Sequence, residues 1–123
     1  MNGFNTKGLL AALDQRGYIK YSKDFAKKYG LEAAILWGEL ISQFCYWDAK
    51  GMLKDDKWFF ATIERLEAET TLSGKRQRKA IEVLTGAGLI ETKLFGVPAR
   101  KYFSINNAAL IDLIFSDPNK ERV

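Results

Sequence analysis

A chain of 123 residues that is 47% hydrophobic and 13% aromatic has the length and apolar content of one globular domain, which argues against a disordered chain. Its single cysteine, Cys45, cannot form an internal disulfide, and the absence of histidine removes the commonest general base and the commonest metal ligand. The net charge is a modest +4 and no apolar run approaches the roughly 18 residues of a membrane span, so we expect a cytoplasmic protein without membrane contact.

The first thirty residues predict an N-terminal extension. Residues 9–16 have the composition of a short helix, and residues 17–21 favour a short strand. Ser22 is a suitable N-cap for a second helix, which ends at Gly30. We therefore expect two helices and one strand before the long helical segment that follows.

The segment from Leu31 to Trp47 predicts a long helix with one internal breaker, Gly38. Its apolar residues recur at helical spacing but extend nearly all the way round, so the helix must be buried in the centre of the domain or at a subunit interface. We interpret the aromatic residues of this helix and of a short strand at 58–60 as core residues. Proteins that bind single-stranded nucleic acid combine aromatic with basic residues, and no basic residues alternate with the aromatic ones here. These aromatic residues are Trp37, Phe44, Tyr46, Trp47, Trp58 and Phe60.

The second half of the chain predicts a helix-turn-helix. Thr62 caps a helix that runs to about Glu69 and, after a short break, Ser73 caps another that runs to about Gly86. At 100° per residue, the second helix has an inner side and a charged side. The inner side carries Gln77, Ala80, Ile81 and Leu84, and the charged side carries Lys75, Arg78, Lys79 and Glu82, with Arg76 beside it.

A hairpin and a final helix complete the pattern. Residues 89–95 and 101–105 alternate as strands around a turn at 96–99, and Asn106 or Asn107 caps a helix through Phe115. This order predicts the α+β class and a winged helix-turn-helix, with extra helices at both ends. We expect a single domain over 1–123, made of the extension 1–30, a winged-helix core 31–106, a C-terminal helix 107–115 and a polar tail 116–123.

Positive charge is concentrated in the predicted helix-turn-helix and hairpin. The stretch from Thr71 to Lys101 has seven basic and two acidic residues, a net charge of +5, whereas the remainder has a net charge of −1. Four basic residues lie in the first two turns of the second helix, where they oppose the helix dipole. Phosphates of a nucleic acid would compensate that cost, so the pattern indicates a polyanionic partner.

Two stretches resemble the winged-helix domain of phage and plasmid replication proteins, which include replisome organisers and DnaD-like initiators. They are residues 72–90 (LSGKRQRKAIEVLTGAGLI) and residues 101–106 (KYFSIN). Residues 29–36 and the Tyr46-Trp47 pair are also similar to the entry helix of such domains, so the resemblance covers roughly residues 22–106. Two residues depart from the family pattern. The family usually has an apolar residue in place of Gln77 and a better helix former in place of Gly74. We expect looser packing beneath the helix at Gln77.

The resemblance implies a double-stranded DNA-binding protein that acts in replication initiation, with Arg100 and Lys101 of the wing on phosphates or in the minor groove. The candidate DNA contacts are Ser73, Lys75, Arg76, Arg78, Lys79, Lys93, Arg100 and Lys101. Two alternatives stay open: a transcriptional regulator on the same fold, and a protein–protein module that oligomerises a replisome loader.

We expect no enzymatic activity, no cofactor and no metal site. The acidic residues Glu64 and Glu67 fall on a solvated helix face, and Asp55 and Asp56 fall in a polar loop. The expected partners are double-stranded DNA, a second copy bound through the 31–47 or the 108–115 helix, and replisome proteins such as a helicase or a helicase loader.

Overall fold

The computed structural model describes residues 5–14 and 17–115 of the chain. Within these ranges the chain forms six helices and one three-stranded antiparallel sheet, which confirms the α+β class and the winged-helix order. The elements are α1 (Thr6–Asp14), α2 (Lys23–Tyr29), α3 (Leu31–Ala49), β1 (Phe59–Phe60), α4 (Ile63–Thr70), α5 (Gly74–Gly86), β2 (Ile90–Phe95), β3 (Arg100–Ile105) and α6 (Asn107–Phe115).

Strand β3 lies at the centre of the sheet, between β1 and β2. Phe59 pairs with Phe103, and the β2–β3 hairpin pairs from Ile90↔Ile105 to Phe95↔Arg100. Paired residues share a face and successive residues alternate between faces. The sheet therefore has an inner face, which packs on the helices, and an outer face. The residues of the outer face include Phe60, Lys93, Phe95, Arg100 and Tyr102.

The hydrophobic core is centred on α3. Leu36 and Leu40 are fully buried there, and they belong to one apolar cluster with Leu66 of α4, Leu84 of α5 and the inner face of the sheet. Helix α2 joins this cluster through Phe25, whose ring stacks on Trp37 at a centroid distance of 5.5 Å. Ser22 caps α2 as predicted, since its hydroxyl oxygen accepts a hydrogen bond from the Phe25 amide.

The predicted strand at 17–21 is wrong. That segment contacts α3 instead, because Gly38 has no side chain: a Cβ at this position would lie 2.7 Å from the Lys20 carbonyl oxygen. The helix predicted at 9–16 begins earlier, at Thr6, and extends to Asp14; its predicted last residues lie outside the described ranges. Gly38 thus serves as a contact site for the backbone of a neighbouring segment.

Helix α3 is not buried all round within the single chain, which contradicts a position entirely in the centre of the domain; burial at a subunit interface stays a prediction. The helix extends to Ala49 and leaves Leu31, Cys45 and Tyr46 exposed, with 48% of Tyr46 accessible to solvent. Tyr46 therefore does not belong to the core. The predicted strand at 58–60 shortens to two residues, because Trp58 forms only an isolated bridge with Lys54.

Helix α6 follows β3 and begins as predicted. The Asn106 side-chain oxygen accepts hydrogen bonds from the amides of Ala108 and Ala109, at 2.9 and 3.3 Å, which makes Asn106 the cap. No residue of α6 is buried, although Leu110 contacts the core. The predicted polar tail 116–123 lies outside the described ranges. In the part of the chain that the structure describes, no helix is long and apolar enough to cross a membrane.

Candidate nucleic-acid interface

Side-chain caps fix the helix-turn-helix formed by α4 and α5. Thr62 and Ser73 each accept a hydrogen bond from the amide three residues on, at 3.0 and 3.3 Å. Thr71 ends α4 in the left-handed conformation, with a φ of 65°. Thr70 ties the turn to α4, because its hydroxyl donates to the Leu66 carbonyl and accepts from the Leu72 amide. The start of α5 therefore has a defined position.

Gln77 locks α5 against α4. Its side-chain amide nitrogen donates to the carbonyl of Ile63, at 3.0 Å, and to that of Leu72, at 2.9 Å. The residue is only 1% exposed. The polar side chain is therefore buried and binds the turn, which an apolar residue could not do; the looser packing expected beneath this position stays a prediction.

The side of α5 that faces the core is the side predicted from the helical spacing of its residues. Gln77, Ala80 and Leu84 are buried and Ile81 is half-buried. The charged residues on the other side are all exposed; they are Lys75, Arg76, Arg78, Lys79 and Glu82. The first two turns of α5 thus present four cations to solvent on one side of a helix whose other side is packed.

Arg76 differs from the other three cations. Its Nε lies 2.9 Å from Glu32 Oε1 at the start of α3, and the two side chains are 60% and 38% exposed. This contact is the one ion pair found among the described residues. Arg76 therefore stabilises the packing of α5 on α3, and its charge is partly neutralised.

The three predicted wing cations lie on two faces of the sheet. Lys93 and Arg100 are on the outer face, whereas Lys101 pairs with Leu94 on the inner side. Arg100 packs over the Phe60 ring, with its guanidinium carbon 5.2 Å from the ring centroid. Because β1 pairs with β3 only at Tyr102 and Phe103, the β3 backbone at Arg100 has no described strand partner on the β1 side.

A groove of about 260 Å³ brings the two halves of the predicted site together. It runs between the start of α4, the exposed edge of α5 and β3, and three of its lining side chains are Arg78, Arg100 and Lys101. Gly74 also lines it; a Cβ there would contact Ile63 and the Arg78 guanidinium, at 3.4 and 3.8 Å. The glycine that departs from the expected helix former therefore leaves the groove wide beside Arg78. Lys75, Lys79 and Lys93 do not line this groove.

Three cations outside the predicted set of DNA contacts lie near the same elements. Lys54 and Lys57 precede β1, and Arg65 lies on α4; each packs over an aromatic ring, of Phe95, Trp58 and Trp47 respectively. Their signal in the sequence is weak, because Lys54 and Lys57 occur in a polar loop beside Asp55 and Asp56. The acidic residues considered for chemistry, Glu64, Glu67, Asp55 and Asp56, are all exposed.

Comparison with known proteins agrees with the fold. No family model and no curated protein matches the sequence. A solved structure titled "N-Terminal domain of DNA binding protein" superposes with a TM-score of 0.62 over 95% of this chain and 98% of that chain, at 14% sequence identity. At this identity the match supports the shared fold.

Proposed function

We propose that this chain is a double-stranded DNA-binding protein without enzymatic activity. Helix α5 enters the major groove, and the wing contacts the phosphate backbone or the minor groove. The observation that carries the proposal is the groove in which Arg78 of α5 meets Arg100 and Lys101 of β3. Two separate elements supply three cations to one surface, and none of the three has a carboxylate partner in the described ranges.

The charged side of α5 supports the same function. Lys75, Arg78 and Lys79 lie near the N-terminus of α5, where positive charge is unfavourable because of the helix dipole. Glu32 compensates the charge of Arg76 but not the charges of these three residues. Arg and Lys can donate to the O6 and N7 acceptors of guanine in the major groove. The solved structure with the same fold is, by its title, part of a DNA binding protein.

A salt titration tests duplex binding. If about four to seven cations meet phosphates, a plot of log affinity against log salt for a random-sequence duplex should have a slope on the order of −4 to −6. The groove and α5 together carry this number of basic side chains. A slope near zero, or no retention of the duplex at low salt, would contradict the proposal.

The biological role that we propose is replication initiation in a phage or mobile element, at an origin bound as repeated sites. Transcriptional regulation on the same fold is the competing role, and the resemblance of residues 72–90 and 101–106 to replication proteins favours the first. The genes beside this one discriminate between the two. A neighbouring helicase or helicase loader is expected; a neighbouring integrase or a divergent promoter would indicate regulation.

A protein–protein role is the second candidate function, and exposed apolar helices favour it. Leu9, Leu10 and Leu13 of α1 are each about half exposed, and α6 has no buried residue. We propose that such surface joins two copies of the chain, so that a homodimer presents two α5 helices to two half-sites. Association without any duplex binding would favour the oligomerisation module over the DNA-binding protein.

A further inference from the structure

The outer face of the sheet carries a row of aromatic rings. Trp58, Phe95, Tyr102 and Phe60 follow one another in edge-to-face or tilted contacts, with centroid distances of 5.5, 5.1 and 5.8 Å. Trp58 is buried at one end of the row, and the other three rings are half-buried. The row therefore ends in one buried ring, and its other three rings remain partly accessible to solvent.

Four cations lie over these rings. Lys54 and Lys93 both approach Phe95, each with its Nζ 5.0 Å from the ring centroid. Lys57 lies over Trp58 at 5.3 Å and Arg100 over Phe60 at 5.2 Å. Cation–ring contacts of this kind hold a charged group in place and leave its hydrogen bonds to other partners.

Within the described ranges, no carboxylate forms an ion pair with these four cations. Asp55 and Asp56 lie in the adjacent loop, and Glu91 shares the outer face of β2, yet none of them forms an ion pair with Lys54, Lys57, Lys93 or Arg100 within the described ranges. The rings and cations come from three parts of the chain, residues 54–60, β2 and β3. Their alternation is therefore a property of the fold and is invisible along the sequence.

The outer face points away from the duplex site. Phe59 and Phe103, on the inner face, pack in the core with Leu84 of α5, so the outer face is the opposite side of the sheet from α5. Phe95 and Tyr102 do not line the groove beside α5, so a duplex seated there would leave both rings accessible. Phe60 and Arg100 also line the groove, so the row begins at the border of the duplex site and leads away from it.

We propose that this outer face binds single-stranded DNA, with bases stacked on Phe60, Tyr102 and Phe95 and the backbone held by Lys54, Lys93 and Arg100. Rings with flanking cations are the arrangement by which proteins bind unpaired strands, because every base has a face that can stack. A strand separated beside the bound duplex would pass from the groove onto this face. The single-strand site rests on its own residues, apart from Phe60 and Arg100, which also line the groove.

The test uses the full chain and two probes, fluorescent oligothymidylate and a random-sequence duplex, followed by anisotropy. Phe95→Leu keeps an apolar side chain but removes the ring. It should weaken oligothymidylate binding at least about fivefold, the lower end of what one stacked base contributes, and leave duplex binding unchanged. Lys54→Ala should act in the same direction.

Tyr46→Leu is the matched control. Tyr46 has the same ring-and-lysine arrangement, with Lys50 Nζ 5.0 Å from its centroid, but it lies on α3 outside the outer face. This variant should bind oligothymidylate like the unaltered chain. Equal losses in Tyr46→Leu and Phe95→Leu would overturn the assignment, as would an unaltered chain that does not bind oligothymidylate.

Cross-linking provides a readout that does not depend on altered side chains. Oligothymidylate with iodouracil in place of some thymines should cross-link to peptides that contain Phe95 or Tyr102. Cross-links confined to α5 would overturn the proposal, because the strand would then occupy the duplex site. Duplex binding is measured separately by its salt slope, so loss of either activity alone identifies which of the two proposals has failed.

Discussion

Helices α5 and α6 lie on either side of the wing hairpin in the chain, and they use their apolar residues in opposite ways. In α5 the inner residues recur every three or four positions, so Gln77, Ala80 and Leu84 form one buried line and the cations occupy the other side. In α6 almost every residue from 108 to 115 is apolar, and none is buried. Periodic spacing thus predicts packing, whereas a high apolar content without a polar face indicates surface that another molecule could cover.

The largest expected difference between the two helices is the loss of stability when an apolar side chain is truncated. Leu84→Ala should lower the free energy of unfolding by about 2–5 kcal/mol, because Leu84 is fully buried in the core cluster. The matched change on α6 is Ile114→Ala, at a residue that is 59% exposed, and we expect less than about 0.5 kcal/mol. Urea unfolding followed by circular dichroism measures both; equal losses would remove the distinction between the helices.

Charge removal should separate them by DNA affinity. Arg78→Ala should weaken duplex binding by about 1–3 kcal/mol without unfolding the chain, since Arg78 is exposed and lines the groove. Lys79→Ala should weaken it as well. The control is Asp112→Ala on α6, which also removes one exposed charge and should not reduce affinity. Gel-shift titrations in which both α5 variants bind like the unaltered chain would contradict the major-groove assignment.

Self-association should depend on α6 and not on the exposed side of α5. Light scattering at micromolar concentration should give a mass of about 28 kDa, twice that of the 14.0 kDa chain. Replacing Ile111 and Ile114 by serine should return the mass to that of one chain, because both side chains are about half exposed or more. A monomer both free and on DNA would mean that α6 only covers the edge of its own domain.

The smallest expected effect lies within α5 itself. Arg76→Ala should change the free energy of unfolding by no more than about 1 kcal/mol, the value of an exposed ion pair such as that with Glu32. It should also weaken duplex binding less than Arg78→Ala does, because Glu32 already engages the guanidinium. A loss of affinity equal to that of Arg78→Ala would place Arg76 in the groove with the other cations.

Local signals in the sequence were sufficient for the helix-turn-helix. The caps at Thr62 and Ser73 and the inner line of α5 depend on interactions within a few residues, and the structure confirms each of them. The segment 17–21 has strand-forming residues, but no described strand pairs with it. Strand propensity could not reveal this, because a strand requires a partner that lies elsewhere in the chain.

The two proposed binding surfaces could be predicted only in part. The cations of α5 and the wing stand out by charge, but their meeting in one groove depends on how α5 packs on the sheet. The ring row was missed because Lys54, Lys93 and Arg100 reach the rings from separate segments. The register between paired strands determines which side chains are neighbours across the sheet. It cannot be read from the spacing of residues along the chain.

The segment 17–21 can lie against α3 only because position 38 has a hydrogen atom in place of a side chain. A glycine within a helix costs about 0.5–1 kcal/mol relative to alanine, and here that cost allows the Lys20 carbonyl to lie against α3. Alanine at this position would strengthen α3 as an isolated helix and at the same time push the segment 17–21 away. A single methyl group at position 38 would thus change how the segment 17–21 lies against α3.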